Sequence, residues 1–262
     1  MQLDGSPVGA DELAALALYN YGHFTSMRVQ DLKVRGLSLH MKRLLDDSNT
    51  VHGKPIDPDR VRDLVKKALV GGPETAVARV TVFAPDLDMA HPDQAGEPRV
   101  LVTTRPAAPD NFAPMRVKSV LFHRDLPAVK HVGLFAQVSH RRAAQQQGFD
   151  DAVFVDEDST FMEGATWNIG FLRGDDVVWP GGDCLVGVTM RLLQSALNSY
   201  DIGVKTEQLR LSDLDSVDGA FATNAAIGVR AIRVIDDHEL PVDSRSLVQV
   251  REAYLSTPAE PL

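Results

Sequence analysis

The sequence predicts an α+β protein with two sheet-centred domains. Short β-rich runs alternate with helical stretches, and 262 residues at 44% hydrophobic content can supply a core for two moderate domains. The stretch at 106–114, PAAPDNFAP, holds three prolines and has no periodicity, which is typical of a linker. We therefore expect a smaller N-terminal α/β domain over 1–108, a linker over 109–117 and a larger C-terminal domain over 118–262.

The elements of the first half follow from residue spacing. Alternating β-branched and apolar residues predict strands, and apolar residues three to four apart predict helices. The second helix has an acidic start, basic later turns and a glycine stop. In order, the expected elements are a strand at 23–29, helices at 37–48 and 57–72, and strands at 75–84 and 98–106.

The second half contains more strands than the first. The same spacing rules apply to it, with glycine-rich breaks between the runs. The expected elements are a strand at 115–122, a helix from about 132 to 147, strands at 151–157 and 161–173, a helix at 187–200, strands at 203–209 and 219–225, one or two strands after Gly228, and a short helix near 244–256.

Composition excludes several classes of protein. A net charge of −9, a pI near 5.3 and scattered basic residues disfavour a nucleic-acid or anionic-membrane partner. The only cysteine, Cys184, excludes an internal disulfide and a cysteine-based zinc site, and the eight histidines have no metal-binding spacing. No run is apolar and long enough for a membrane span, and no signal peptide is evident. We expect a cytoplasmic protein without a metal.

Two ionisable residues stand in apolar surroundings. Lys130, in AVKHVGL, is either a boundary lysine whose ammonium reaches solvent or a lysine that serves as a Schiff-base nucleophile. Glu163 interrupts the strand-like run FMEGATW; it is either solvated at a bend or buried against a cation or hydrogen-bond donor. The residues alone leave both alternatives open.

A third feature predicts an anion site. In LVGVTMRLL, a glycine and Thr189 stand where a helix begins, so free N–H groups, a hydroxyl and the helix dipole converge there. The polar turn ATNA at 222–225 and Arg43 of the first helix are further candidate donors, although each is commonplace by itself. Together with Lys130 and Glu163 they describe a cofactor with a phosphate, a carbonyl and a basic nitrogen. Pyridoxal 5'-phosphate has all three.

The order of these motifs resembles the class IV aminotransferases, the fold-type IV pyridoxal-phosphate enzymes, which include branched-chain and D-amino acid aminotransferases and aminodeoxychorismate lyase. LSLHMKRL resembles the family's L-x-x-H-x-x-R-L helix, which implies that Arg43 binds the cofactor phosphate. AVKHVGL resembles the segment with the Schiff-base lysine, Lys130. FMEGATWNIGFL resembles E-G-x-x-x-N-x-F, in which the glutamate, here Glu163, pairs with the pyridine nitrogen.

Two further motifs complete the resemblance and place the cofactor in the C-terminal domain. LVGVTMR resembles a G-I-T-R helix start, which implies that Val188 and Thr189 bind phosphate and that Leu185 packs on the pyridine ring. FATNAAIGVRAI resembles the last phosphate-binding turn, with Thr223 and Asn224.

The chain departs from the family pattern at two places. Asn20, Tyr21 and Gly22 stand where relatives often have G-D-G, and Met190 replaces the usual arginine after the helix-start threonine, with Arg191 one place later. The first departure lies where relatives bind substrate, so it leaves the substrate class open.

The substrate contacts are therefore only candidates. Thr25 lies in HFTSMRV, which resembles the C-F-T-T-A-R-V strand of aminodeoxychorismate lyase, and His131 matches the histidine of that enzyme's I-K-H. Arg79 and Arg105 are candidates for binding a carboxylate because both lie on strands of the N-terminal domain.

The resemblance implies an aminotransferase that moves an amino group between an amino acid or amine and a 2-oxo acid, with Lys130 as the catalytic residue. The alternative is lyase-type elimination that releases pyruvate, and the third possibility is a non-catalytic binding protein on the same scaffold. The resemblance also implies a homodimer.

Overall fold

The computed structural model describes residues 1–110 and 112–262, so Asn111 of the predicted linker lies outside the described residues. Two stretches of the C-terminal half pack with the N-terminal part of the chain. The domain boundaries given above, which divide the chain at a single linker, stay a prediction. The first unit comprises Met1–Ala108, Val129–Leu134 and Ala259–Leu262, and the second comprises Pro109–Ala128 and Phe135–Pro258.

The first unit is built on an antiparallel sheet whose strands differ in length. Its strands, numbered along the chain, are β1 (Gln2–Leu3), β2 (Ser6–Pro7), β3 (His23–Gln30), β4 (Lys33–Arg35), β5 (Thr75–Phe83), β6 (Arg99–Pro106) and β16 (Ala259–Pro261). Among the described residues the sheet has seven strands in the order β16-β4-β3-β5-β6-β1-β2. The helices of this unit are α1 (Ala10–Tyr19), α2 (Leu37–His52) and α3 (Pro58–Leu69), with a 3₁₀ turn at Pro92–Gln94.

Strand alternation divides β3 between two faces of this sheet. Met27 and Val29 point into the core formed with α2 and α3, while Phe24 and Ser26 point to the opposite face. α2 ends at Gly53, whose left-handed φ of 63° lets its N–H reach the Asn49 carbonyl.

The second unit is built on a larger mixed sheet. Its strands are β7 (Met115–Leu121), β8 (Asp151–Val155), β9 (Phe161–Gly164), β10 (Asn168–Arg173), β11 (Asp176–Pro180), β12 (Gly203–Glu207), β13 (Gly219–Asn224), β14 (Gly228–Ile235) and β15 (His238–Glu239). Within the described residues the order is β12-β11-β10-β13-β14-β7-β8-β9, and β15 pairs with β14. The helices are α4 (Phe135–Gln146), α5 (Val188–Ala196) and α6 (Arg245–Ser256), with 3₁₀ turns at Leu197–Tyr200 and Leu211–Ser216. Sheets packed by helices in both units confirm the predicted α+β class.

The strand expected at 161–173 is two strands, because the chain turns sharply at its centre. The Gly164 N–H donates to the Trp167 carbonyl at 2.7 Å, and the indole ring packs directly on the Gly164 backbone. A Cβ at Gly164 would lie 2.0 Å from that ring, so only glycine fits. The turn leaves Glu163 at the end of β9.

Other differences from the predicted elements lie mainly at element ends. The helix expected from about 132 begins at Phe135, since the residues just before it pair with β3. The sequence did not predict α1 or the short strands β1, β2, β4, β11 and β16. Within the described part of the chain, no helix is long and apolar enough to cross a membrane.

Candidate active site

The backbone of Lys130 is held against the edge of β3. The Phe24 N–H donates to the Lys130 carbonyl at 2.8 Å, and the Val132 N–H donates to the Gly22 carbonyl at 3.0 Å. These two bonds flank an antiparallel bridge between residues 23 and 131. A short stretch remote in sequence thus extends the sheet of the first unit and fixes the position from which the lysine side chain emerges.

The helix α2 supplies a further hold on this lysine. The buried carboxylate of Asp47 accepts the Lys130 N–H at 3.1 Å. Burial raises the pKa of Asp47, against the lowering effects of that N–H bond and of the Arg43 charge. Arg43 lies one turn before Asp47, so one face of α2 presents the predicted phosphate ligand and anchors the predicted Schiff-base lysine.

Thr25, a candidate substrate residue, is committed to a buried hydrogen bond. Its hydroxyl oxygen lies 2.7 Å from the His40 Nδ1, and both residues are almost fully buried. Burial lowers the pKa of His40 to about 3, with further lowering from the charges of Arg43 and Lys130. His40 is therefore neutral at physiological pH, and Thr25 faces the helix rather than open solvent.

Arg79 and Lys130 meet on one aromatic ring. The guanidinium carbon of Arg79 lies 3.6 Å from the centroid of the Phe24 ring, and the Lys130 Nζ lies 4.9 Å from it. Arg79 also donates from Nε to the Thr81 hydroxyl at 3.2 Å. Burial lowers the pKa of the Arg79 guanidinium. The ring thus orders two cationic side chains on the sheet face away from α2.

His131 lies on the other face from Lys130, opposite His23 in the antiparallel bridge. His23 is fully buried, its ring lies 5.6 Å from the His52 ring, and neither of its ring nitrogens has a hydrogen-bond partner among the described residues. His131 is half-buried beside Gly133. Although several histidines are close, no group of three or more metal-ligating side chains occurs in residues 1–110 and 112–262.

Glu163, in the second unit, is buried at the end of β9. Its side chain is 6% exposed, and its Oε1 lies 3.5 Å from the Nη1 of Arg124, whose side chain is 7% exposed. Of the two alternatives for Glu163, the structure thus supports burial against a cation rather than solvation at a bend. A carboxylate so placed can hold a positively charged N–H, because it can accept at two oxygens.

The segment before α5 is clamped to β10 by one asparagine. The Asn168 side chain accepts the Gly187 N–H at 3.0 Å and donates to the Leu185 carbonyl at 2.8 Å. Gly187 is the N-cap and has no side chain that could cap the helix. The N–H groups of Val188 and Thr189 are therefore available to an anion. The structure thus brings Leu185, Val188 and Thr189 together at one helix terminus.

The turn after β13 uses its polar side chains internally. The Thr223 hydroxyl donates to the Gly228 carbonyl at 2.7 Å. The Asn224 side chain accepts the N–H groups of Ala226 and Ile227 at 2.8 and 3.0 Å and donates to the Thr166 carbonyl at 3.1 Å. Thr223 pairs with Asn168 in the sheet, so this turn is next to the α5 segment. Asn224 therefore shapes the turn, and its contribution as a direct phosphate ligand stays a prediction.

Sequence reasoning assigned no role to Asp47, His40 or Arg124, although His40 is the histidine of the L-x-x-H-x-x-R-L motif. The first two had a signal, since both are polar residues on the apolar face of α2 that also contains Leu37 and Leu44. Arg124 had none, because it lies in an irregular stretch where no periodicity indicates burial.

A family model described as amino-transferase class IV matches residues 22–235. The chain belongs to this family. The class IV aminotransferase match covers all of the predicted cofactor-binding residues, and enzymes of this class use pyridoxal 5'-phosphate. The resemblance inferred from the sequence motifs is thus confirmed.

Individual relatives of this class IV chain are branched-chain aminotransferases by name. The probable branched-chain-amino-acid aminotransferase of Rickettsia bellii is 29% identical over 133 residues, which are 50% of this chain and 42% of that protein. The putative one of Methanocaldococcus jannaschii is 26% identical over 230 residues, 84% of this chain and 80% of that protein. The matched part thus spans less than half the length of the Rickettsia relative.

A solved structure shares the fold. The branched-chain aminotransferase of Thermoproteus uzoniensis, determined with norvaline, superposes with a TM-score of 0.87 at 21% identity, over 97% of this chain and 92% of that one.

The donor set fits the chemical groups of pyridoxal 5'-phosphate. The buried Glu163 carboxylate suits a protonated ring nitrogen, and the open N-terminus of α5 suits a phosphate. In the first unit, Lys130 supplies an amine on a fixed backbone and Arg43 supplies a guanidinium. Each predicted cofactor ligand is thus of a residue type that suits the chemical group it would bind.

Proposed function

We propose that this protein is a pyridoxal-phosphate-dependent aminotransferase that moves an amino group between an amino acid and a 2-oxo acid. The observation that carries the proposal is the fixed backbone of Lys130, held through its carbonyl by β3 and through its N–H by Asp47. A nucleophilic amine on a fixed backbone is what imine chemistry requires. The names of the relatives support a branched-chain amino acid as donor.

When bound, the cofactor supplies an aldehyde for a lysine amine and a protonated ring that accepts electrons from the substrate α-carbon. Lys130 would hold the cofactor through its amine and would act at its Nζ as the base and acid that moves the substrate α-proton. Glu163 would keep the ring nitrogen protonated. Arg43, Thr189 and the N–H groups of α5 would bind and orient the phosphate, while Thr223, whose hydroxyl donates to the Gly228 carbonyl, would shape the adjoining turn.

Candidate substrate residues lie near Lys130 in the first unit. Arg79 shares the Phe24 ring with Lys130 and is therefore better placed than Arg105 to bind a substrate carboxylate. Thr25 supports the site through His40, and His131 lies on the opposite sheet face. The predicted homodimer and cytoplasmic location belong to the same proposal.

The test is the absorbance spectrum of the purified protein with pyridoxal 5'-phosphate, followed by a panel of amino acids. Wild-type protein is expected to show the band of a lysine-bound cofactor and to convert it to the pyridoxamine form with a branched-chain donor. Lys130→Ala is expected to lose that band. Retention of the band in Lys130→Ala contradicts the proposal, and release of pyruvate from aminodeoxychorismate without conversion would favour the lyase alternative.

A further inference from the structure

We infer that Arg124 is a positioning residue of the cofactor site, which keeps the Glu163 carboxylate ionised and oriented. This inference rests on the proposed function, because it assigns Arg124 a role through the residue that faces the ring nitrogen. Neither the sequence motifs nor the family resemblance singled out Arg124.

The first argument is burial. The Arg124 and Glu163 side chains are 7% and 6% exposed, and the Nη1–Oε1 distance is 3.5 Å. A carboxylate removed from water takes up a proton unless a cation or donor compensates its charge. A protonated Glu163 could not hold the proton of a ring nitrogen, so a permanent cation beside it preserves the function of the carboxylate.

The second argument is the local charge distribution. Burial raises the pKa of Cys184 to about 11, with further raising from Glu163 and Asp183 and lowering from Arg124. The thiol thus lies within electrostatic reach of the same pair and stays neutral. Asp183 is exposed and adds a second negative charge. Arg124 thus places a buried positive charge in this acidic neighbourhood, beside the Glu163 carboxylate.

The third argument is geometric. The tight turn at Gly164 and Trp167 fixes the end of β9. The arginine contacts one carboxylate oxygen, Oε1, and a carboxylate has acceptor capacity at both oxygens. Arg124 can therefore orient the Glu163 carboxylate through Oε1 while the carboxylate also accepts an N–H of a ligand.

The first test is a double-mutant cycle in the cofactor-free protein, with Arg124→Met, Glu163→Gln and the double variant. Each single change leaves one buried charge without this partner, so each is expected to lower the thermal midpoint by roughly 6–15 °C. The double variant buries neither charge and is expected to lose no more than the worse single variant. Single losses that add in the double variant overturn the inference.

The matched control is Arg116→Met, an exposed arginine on β7, which is expected to shift the midpoint by no more than about 2 °C. If Arg124→Met does not fold, the double variant is still expected to fold. Failure of both overturns the inference.

Protonation separates this role from simple packing. With the Arg124 charge removed, the buried Glu163 carboxyl is expected to bind a proton in the folded state between pH 6 and pH 8, where the unfolded chain does not, because its glutamates ionise at about pH 4.3. The deficit of Arg124→Met relative to wild type is therefore expected to grow between pH 6 and pH 8. The deficit of the double variant is expected to stay constant, since glutamine does not titrate. An equal Arg124→Met deficit at both pH values overturns the inference.

Cofactor affinity provides the last readout. Arg124→Met is expected to raise the dissociation constant for pyridoxal 5'-phosphate roughly tenfold in wild type and less than about twofold in the Glu163→Gln background. Arg124→Lys, which keeps the charge, is expected to restore part of the affinity. A tenfold effect in both backgrounds shows that Arg124 does not act through Glu163. If wild-type protein binds no cofactor, the proposed function fails, while the cofactor-free cycle still tests the coupling.

Discussion

Acid destabilisation of the first unit should be traceable to His23. This residue is fully buried, and its ring nitrogens have no hydrogen-bond partner among the described residues. Burial, with a smaller contribution from the charge of His52, lowers the pKa of His23 from 6.5 to about 3. The His40 pKa is likewise lowered to about 3, chiefly by burial.

Proton linkage gives the direction and the size of the change in the free energy of unfolding. Below pH 6.5 the unfolded chain binds a proton at each histidine, whereas the folded protein does so only near pH 3. The stabilisation is therefore complete above about pH 6.5 and is lost as the pH falls. Between pH 7 and pH 5 the free energy of unfolding therefore falls by about 2 kcal/mol for each histidine, or about 4 kcal/mol for His23 and His40 together.

Urea denaturation of cofactor-free protein at pH 7 and pH 5 measures this loss. His23→Leu is expected to remove about 2 kcal/mol of the pH-dependent loss, because leucine does not titrate. At pH 7 the variant should be at least as stable as wild type, since it removes a buried polar group that has no partner. Met27→Leu, at a buried apolar position on the same strand face, should keep the full pH dependence. An unchanged loss in His23→Leu would refute the reasoning.

Three further predictions concern the second unit. Gly187→Ala would place a Cβ 2.2 Å from the Asn168 Oδ1, so it should weaken cofactor binding roughly tenfold in a fluorescence titration, and unchanged affinity would count against the clamp. Asp151→Ala removes the buried acceptor of the Trp167 indole N–H and should cost about 3 kcal/mol of unfolding free energy with a change in tryptophan emission; an unaltered urea midpoint would contradict this. Burial raises the pKa of Cys184 to about 11, so a thiol reagent at pH 8 should modify it roughly 100-fold more slowly than free cysteine, and modification at the free rate would disprove it.

The α+β class and the helix α2, which contains Arg43, could be predicted from the sequence, whereas the packing of the Lys130 segment with the first unit could not. Both predictions depend on a local pattern: strand alternation, helical spacing or a short motif resembling a family segment. The tight turn after Glu163 was less visible, because the apolar run continues through it and only the packing of Trp167 on Gly164 interrupts the strand.

The electrostatic partners of the site depended on the tertiary structure. Asp47 reaches the Lys130 N–H across a long sequence separation, and Arg124 meets Glu163 by the same kind of long-range packing. Periodicity reports which face of an element is apolar, whereas an ion pair depends on which elements the fold brings together. The residue types of the candidate site follow from the amino-acid sequence. Which charges compensate one another follows from the fold, because only the fold buries Asp47 and Glu163 beside their donors.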